Sequence, residues 1–449
     1  MKLLRGFVML GLSLPAFAQY AGPAILSRGE APAAMTAPTV DFNFSMALTG
    51  TYTTGLVGVS APNAQGVLAN STSYGIGVSL GVNGAHSWKH THIGLNYSGG
   101  FTDYLSAGYF SGISQGLSLG LSHQFSRHIS FTLRESAGLF TQFPPATVSL
   151  NSAVPFDPSQ SYIPTTDFYD NRTIYTTTQA NLTIQASSRL SFSLGGAYFA
   201  NFQRSSALYG AMGESATGDV QYRLSRRTTL GANYSYTHYS YTNSEGGADI
   251  HSAALNASVR VSRWTEFSMF AGASRVASSF EQTVPIDPAI LAILCPPSEV
   301  TACPLTAGTV INNNTFWGPN VGIRYSRSFQ RGAFYASAGE SITPGNGLFL
   351  TSRAQTAGAG YGYSGLRKWG LSIGVNYMKA LSLGNVQGGY GQISGSYSMS
   401  RQIVGQLSFV SSFSATQYQS NSFNLYNRLI YSASVGLGFS TKSIPVRFF

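Results

Sequence analysis

Hydrophobic and polar side chains alternate along most of the chain after residue 38, and residues 219–242 show the pattern most fully. Val220, Tyr222 and Leu224 alternate with polar neighbours as far as the basic pair at 226–227, and a second alternating run follows. Because successive side chains on a strand point to opposite faces, this stretch predicts a β-hairpin with one apolar, aromatic face and one small, polar face. Such a division is typical of a strand that lies between lipid and a watery lumen.

The same unit recurs along the chain. Its turn sequence, Arg-x-Ser-Arg, occurs at 223–226, 260–263 and 324–327, and each copy precedes a new alternating run. Counting the runs gives about 18 strands, or roughly 16 if the weak runs near Ala216 and Thr356 are not strands. An even number places both chain ends on the same side of a barrel. A repeat of roughly 35–40 residues would also fit a propeller or a solenoid, so composition has to decide.

The composition favours a membrane barrel. The chain has 449 residues, of which 43% are hydrophobic and only 9% are charged, whereas about 25% are charged in an ordinary soluble domain. No apolar run reaches the roughly 18–20 residues of a membrane helix. A closed barrel fits both facts, because open sheet edges cannot face lipid, and a soluble β-sandwich would need many more exposed charges. We therefore predict an all-β, transmembrane, antiparallel up-and-down β-barrel.

Three segments follow from the order of the chain. Residues 1–18 have a basic start, a short apolar run and the cleavage sequence Ala-Phe-Ala, which together predict an export signal peptide. Residues 19–38 are rich in Ala, Pro and Gly, which predicts a flexible periplasmic segment too short to plug a pore. Residues 39–449 would form the barrel.

Two connections are unusually long, at about 143–171 and 281–315. Loops beyond roughly 12–15 residues are usually functional or disordered, so each either folds into the pore as a constriction or lies on the surface. Cys295 and Cys303, the only cysteines, fall in the second loop. In an oxidising compartment two nearby cysteines predict a disulfide that closes a small surface loop.

The signal peptide, the Ser-Arg turns, the Tyr-rich alternation and the terminal Phe449 together resemble a Gram-negative outer-membrane β-barrel, and the size resembles porins of about 16–18 strands. Residues 224–241 are also similar to uncharacterised porin-like barrels associated with exopolysaccharide export. The resemblance implies outer-membrane lipid, lipopolysaccharide and the barrel-assembly machinery as partners, and homo-oligomers as one assembly state. It also implies that both termini are periplasmic. Pro445 departs from the pattern, because it interrupts the strand just before the terminal Phe.

Charged residues on the predicted lumen-facing phase are the candidate site. An anion preference follows if the arginines line the pore, whereas pairing with loops or lipid phosphates at the rim would remove it. The lumen-lining residues are Arg134, Arg223, Arg260, Arg324 and Glu266. Two further carboxylates, Glu135 and Glu340, fall on the lipid-facing phase. Either a β-bulge turns each one inward, where it would pair with pore arginines, or each is an exposed charge within the bilayer, and the sequence does not choose between the two.

Other chemistry is weakly supported. His90 and His92 are weak metal candidates near one turn, where solvated histidines are the commoner arrangement. No cofactor is predicted, and no nucleophile, metalloprotease or phosphate-loop motif indicates an enzyme. The formal charge of +10 is dispersed among the turns, which does not indicate nucleic-acid binding.

The sequence therefore predicts an outer-membrane pore for passive diffusion of small hydrophilic solutes, with a mild anion preference. Lumen-phase positions are mostly Gly, Ser, Thr and Asn, which favours an open channel. The alternatives are a structural or secretion-associated barrel, such as one for surface polysaccharide export, and an adhesin acting through its loops. Tyr234, Tyr236, Tyr239 and Tyr241 are predicted to form part of an aromatic girdle near the outer interface.

Overall fold

The computed structural model describes residues 39–56, 71–105, 111–140, 173–203, 209–242, 246–285, 307–343, 350–363, 365–366, 368–383, 388–420, 428–441 and 444–447. Within these ranges no helix is both long enough and apolar enough to cross a membrane. Several predicted features lie outside the described residues: 1–18, 19–38, Cys295, Cys303, Phe449, the whole of the loop 143–171 and most of the loop 281–315.

Eighteen antiparallel strands form one closed sheet in which each strand pairs with its neighbours in sequence. A four-residue continuation of the last strand, β19, pairs with the first strand as well. The strands are β1 Thr39–Leu56, β2 Ser71–Ser87, β3 Thr91–Tyr104, β4 Gly112–Gln124, β5 Ile129–Phe140, β6 Thr173–Gln185, β7 Leu190–Gln203, β8 Gly210–Arg223, β9 Thr228–Thr242, β10 Gly246–Ser262, β11 Thr265–Pro285, β12 Ala307–Phe329, β13 Gly332–Thr343, β14 Ser352–Tyr363, β15 Trp369–Ser382, β16 Gly389–Val404, β17 Leu407–Ser420, β18 Arg428–Ser440 and β19 Ile444–Arg447.

The barrel closes between its first and last strands. β1 pairs with β18 from Ser45–Ser440 to Thr53–Ser432, and β19 pairs with the start of β1. The predicted closed barrel of about 18 strands is confirmed, and the weak runs near Ala216 and Thr356 are β8 and β14. Pro445 does not interrupt the pairing of β19 with β1, since it lies opposite Asp41 in the register.

The two ends of the barrel differ. Short turns follow the even-numbered strands from β2 to β16 and lie at the same end as Thr39 and β19, while the longer connections lie at the other end. The serines of the short turns act as local acceptors. Ser225 Oγ accepts from Arg227 N at 3.1 Å and Thr228 N at 3.0 Å, and Ser187 Oγ accepts from Arg189 N at 3.2 Å. A hydroxyl that satisfies two turn amides explains why Ser recurs there.

The outward face carries the large apolar side chains. Leu255, in the middle of β10, is 70% exposed, and similar side chains continue around the barrel. This band is the surface that hydrocarbon would cover. Its members include Phe44, Leu48, Ile76, Leu80, Ile93, Leu119, Leu194, Val220, Met269, Ile323, Ile373, Val375 and Leu437.

The inward face carries small polar side chains, several of which bond directly across neighbouring strands. Cross-strand hydroxyl pairs of this kind stabilise the wall without filling the lumen. Their Oγ–Oγ distances are 3.0 Å for Ser118–Ser136, 2.6 Å for Ser252–Ser274, 2.6 Å for Ser372–Ser398 and 2.7 Å for Ser412–Ser434.

The structure decides between the two alternatives left open for Glu135. β5 pairs with β4 and β6 without a register shift, so no bulge turns this carboxylate toward the pore. It stays on the outward phase, opposite Leu119, and accepts hydrogen bonds from Thr176 Oγ1 (3.0 Å) and from Thr178 Oγ1. The two hydroxyls replace the water that an outward carboxylate would lose in lipid.

We expect the double substitution Thr176→Val and Thr178→Val to destabilise the folded barrel by about 1–3 kcal/mol, because Glu135 loses both donors. In a Glu135→Leu background the same two substitutions should cost close to nothing. Urea unfolding of the four proteins in lipid vesicles measures this cycle. An equal cost in both backgrounds would show that the threonines act independently of the carboxylate.

Candidate functional site: the barrel lumen

The structure places all five predicted lumen residues on the inward phase. Arg134 lies opposite Gly120 and Gln179 on β4 and β6, well inside the barrel, and Arg324 lies opposite Ser268 and Ser337. These two arginines are the ones placed to act on solutes within the channel.

The other three residues lie at the rim of the short-turn end. Arg223 ends β8, and its Nε donates to the carbonyl oxygen of Ser225 at 3.3 Å. Arg260 and Glu266 face each other directly in the β10–β11 register, beside the turn that joins those strands. Their opposite charges offset each other locally. For these rim positions, pairing with nearby groups is therefore favoured over attraction of anions into the pore.

The lumen is narrowed at the long-loop end by an apolar cluster. Inward side chains of β8 to β12 meet side chains from β13 and from the segments that follow β13 and β15. Val276 on β11 is 0% exposed, so other side chains cover it from the lumen side. The buried members are Ala211, Tyr239, Tyr241, Ala248, Ile250, Val276, Phe280, Ile342 and Leu350, with Phe199, Tyr209, Phe316 and Leu383 packed against them.

Aromatic rings supply much of the cluster. The rings of Phe199 and Tyr239 meet edge to face, with centroids 5.5 Å apart. Both rings lie over Gly213, where a Cβ atom would clash with each of them. A glycine is therefore required at this point of β8 for the two rings to pack against the wall.

The end of the β13–β14 hairpin enters the lumen. We call this end the tip and define it as Ile342, Thr343 and residues 350–352. Pairing between β12 and β13 stops at Val321–Glu340, two residues after Pro319, which has no N–H to donate to a neighbouring strand. Ile342 continues the outward phase of β13, yet it packs with inward side chains such as Phe316 of β12. The tip therefore lies inside the ring of strands, behind β12.

A hydrogen bond fixes the tip to a distant part of the wall. Tyr241 Oη on β9 and Thr351 Oγ1 lie 2.7 Å apart, and both residues are buried. β9 and β14 are five strands apart along the wall, which is roughly 24 Å at the usual strand spacing. The bond can form only because the tip leaves the wall, so it crosses part of the lumen.

Two sequence predictions are corrected here. Part of the predicted loop 281–315 is strand, because β11 continues to Pro285 and β12 begins at Ala307. Tyr239 and Tyr241 are buried in the lumen and do not belong to an outer girdle, whereas Tyr234 and Tyr236 lie on the outward phase. Strict alternation already separates the even from the odd tyrosines, so this signal was present in the sequence.

Glu340 anchors the base of the tip. Its carboxylate lies 3.2 Å from Arg353 Nε and accepts from Gln355 Nε2 at 2.7 Å, and its side chain is only 14% exposed. The register of β13 shows no bulge, so the bulge alternative does not hold, and the partner is Arg353 on the adjacent strand instead of a pore arginine. An ion pair at this position holds the two strands of the hairpin together where β12 releases them.

The histidines near the first short turn do not converge. His92 is on the inward phase of β3, His90 lies in the turn, and the ring of His86 contacts Trp88 with centroids 4.1 Å apart. In the described part of the chain, no three His, Cys, Asp or Glu side chains are arranged to hold a metal ion.

Solved structures resemble the chain at low sequence identity. OpdL of Pseudomonas aeruginosa is 13% identical with a TM-score of 0.38, covering 90% of this chain and 99% of OpdL. OccK5 (OpdH) of the same organism is 13% identical with a TM-score of 0.40, covering 90% and 98%. The ferric citrate transporter FecA is 12% identical with a TM-score of 0.43, covering 88% and 63%. No protein-family model and no curated protein matches the chain. At these TM-scores the likeness adds nothing to what the strand pairing shows.

We expect Tyr241→Ala to raise single-channel conductance roughly twofold or more, because it removes both a ring from the narrowing and the bond that holds the tip. Tyr241→Phe keeps the ring and should give a smaller rise. Planar-bilayer recordings measure both. Tyr234→Ala is the matched control, since this tyrosine lies on the outward face of the same strand. If Tyr241→Ala conducts like the unmodified protein, the cluster does not lie on the ion path.

Proposed function

We propose that the chain is an outer-membrane channel through which small hydrophilic solutes diffuse. The observation that carries this proposal is the division of the closed wall into an apolar outward face and an inward face of small polar side chains. A wall of this kind is stable between hydrocarbon and water and leaves room for solutes inside. The lumen also lacks a folded plug among the residues that the structure describes.

The orientation follows from the two ends of the barrel. The short turns and both chain termini would face the periplasm, and the long connections would face outward, as in other barrels of this type. The signal peptide predicted at residues 1–18 supports export to that membrane. Outer-membrane lipid, lipopolysaccharide and the barrel-assembly machinery are the partners that this location implies, and self-assembly into oligomers is compatible with it.

The narrowing sets the size limit of the channel. The tip and the apolar cluster occupy the long-loop end, while the inward face nearer the short turns keeps its small polar lining. A solute therefore meets a tight apolar passage at one end and a wider polar compartment at the other. A constriction of this kind discriminates by size and by the cost of stripping water from the solute.

The second candidate is a secretion or structural barrel that conducts only with a partner protein. The apolar cluster favours this second candidate, because apolar side chains that fill the long-loop end of the lumen would oppose free diffusion of polar solutes. The two candidates differ in what the isolated barrel does. A passive channel conducts alone, whereas a partner-dependent barrel stays silent.

A mild anion preference is proposed for the passive channel. Arg134 and Arg324 lie on the inward wall away from the rim, and both strands carry small or neutral residues around them. A fixed positive charge on the wall of a channel attracts anions and repels cations.

We expect the purified, refolded barrel to give steady conductance steps in a planar bilayer and a reversal potential of the sign for anion preference in a KCl gradient. The combined Arg134→Gln and Arg324→Gln substitution should move that potential toward zero. Arg327→Gln is the matched control, because Arg327 lies on the outward phase of β12, over the ring of Phe329 at 5.0 Å. A folded but silent barrel would overturn the passive channel, and a cation-selective potential would overturn the anion preference.

A further inference from the structure

A polar group interrupts the apolar outward face of the barrel on β9 to β12. Tyr234, Tyr236 and His238 on β9 share this face with Asp249 and His251 on β10. The group extends onto the next two strands. Arg275 on β11 lies directly opposite His251, and Trp317 on β12 lies directly opposite Arg275. Hydrocarbon would not favour this collection of groups, so its position needs a physical reason.

The side chains of the group hold one another in place. Asp249 Oδ1 accepts from the Tyr236 hydroxyl at 2.7 Å and from His238 Nδ1 at 2.9 Å. Tyr234 Oη lies 2.7 Å from His251 Nδ1, and the rings of Tyr236 and His251 have centroids 5.0 Å apart. The network fixes the carboxylate and both imidazoles before any ligand arrives, which lowers the entropy cost of binding.

The height of the group places it at a membrane surface. A tilted strand needs about 9–11 residues to cross the hydrocarbon. His238 is the eleventh residue of β9 counted from Thr228, and Arg275 is the eleventh residue of β11 counted from Thr265. Both strands rise from the short-turn end, so these side chains lie where the outward face leaves the lipid tails and meets headgroups.

A groove lies immediately above this level. It forms because β10 stops pairing at Gly246–Phe280, whereas β11 and β12 continue as a hairpin to Pro285–Ala307. The groove measures about 450 Å³, and its lining includes His238, Asp249, Ser279, Asn313 and Thr315. These five residues share the outward phase, so the groove opens toward the surroundings of the barrel and not toward the lumen.

We propose that this groove binds the saccharide headgroup of a glycolipid in the outer leaflet. Sugar hydroxyls both donate and accept hydrogen bonds, and they match a lining of hydroxyls, amides, one imidazole and one carboxylate. The side chains of His238 and Asp249 remain 41% and 47% exposed, so they are accessible to such a ligand.

The groups below the groove fit the rest of the same molecule. Arg275 lies two residues nearer the short-turn end than Ala277 of the groove lining, and a guanidinium at that level suits a phosphate at the base of the saccharide. Tyr234 and Trp317 are exposed on the same face, at the level where aromatic side chains anchor barrels to the interface. Acyl chains would then lie against Leu255 and Met269 beneath. This order of sugar, phosphate and acyl chain argues for a lipid-anchored saccharide over a soluble one.

The proposal rests on the outer-membrane location proposed above, and its test uses purified, refolded full-length barrel in detergent. Native mass spectrometry would measure binding of intact lipopolysaccharide, of its delipidated core oligosaccharide, and of phosphatidylglycerol. We expect intact lipopolysaccharide to bind at least roughly tenfold more tightly than either of the others. Asp249→Ala and Asn313→Trp should each weaken that binding about tenfold, since two or more hydrogen bonds are lost or the groove is filled.

The matched control is Asp103→Asn. Asp103 is also an outward carboxylate near the long-loop end, where it accepts from Ser111 Oγ at 2.7 Å, but it lies on the distant strand β3. This variant should bind like the unmodified protein. Unchanged binding in both groove variants would overturn the proposal, as would equal binding of the delipidated saccharide, which would make the groove a site for soluble sugar.

Conductance of the same variants separates this proposal from the channel function. Reduced lipopolysaccharide binding with unchanged conductance supports a site on the outer wall that is independent of the pore. A barrel that conducts nothing but loses lipopolysaccharide on Asp249→Ala would overturn the passive channel and leave the glycolipid site standing.

Discussion

Closure of the sheet is the constraint on which the rest of the structure depends. In lipid a strand has no water to satisfy its N–H and C=O groups, so each of the 18 strands needs a partner on both sides. The pairing of β1 with β18 and β19 supplies the last pair, across Pro445. Once the ring is closed, alternation alone assigns every wall residue to lipid or to lumen. The low charge content follows from that assignment.

The functional features lie where this pairing is released. Pro319 has no N–H to donate to a neighbouring strand, and β12 pairs with β13 only from Val321 onward. The separation lets Ile342 and Thr351 move inside the ring, where Tyr241 holds them. On the other side of β12, the β11–β12 hairpin extends beyond the end of β10 and forms the outer groove. Two neighbouring ends of pairing, between β12 and β13 and between β10 and β11, therefore shape the channel and the outer surface.

The sequence predicted the wall well and its exceptions poorly. Period-two alternation specified about 18 strands and the inward phase of Arg134 and Arg324, because each depends only on local geometry. The tip was missed, because Ile342 has the outward phase and is buried only through a long-range rearrangement. The surroundings of Glu135 stayed undecided for a related reason. Its hydroxyl partners are on β6, beyond a long connection, so alternation within β5 could not reveal them.

Glu135 and Asp249 are both outward carboxylates, but their surroundings indicate different roles. Glu135 is seven residues into β5 counted from Ile129, within the expected hydrocarbon span, and both of its oxygens already accept threonine hydroxyls. Its hydrogen-bonding capacity is used by the wall, so it calls for no ligand. Asp249 lies above that span and takes both of its bonds on a single oxygen, beside an open groove. Asp249 is held at the level of the headgroups and can accept further hydrogen bonds. This arrangement is expected of a binding surface, whereas the hydrogen bonds of Glu135 only stabilise a carboxylate within the wall.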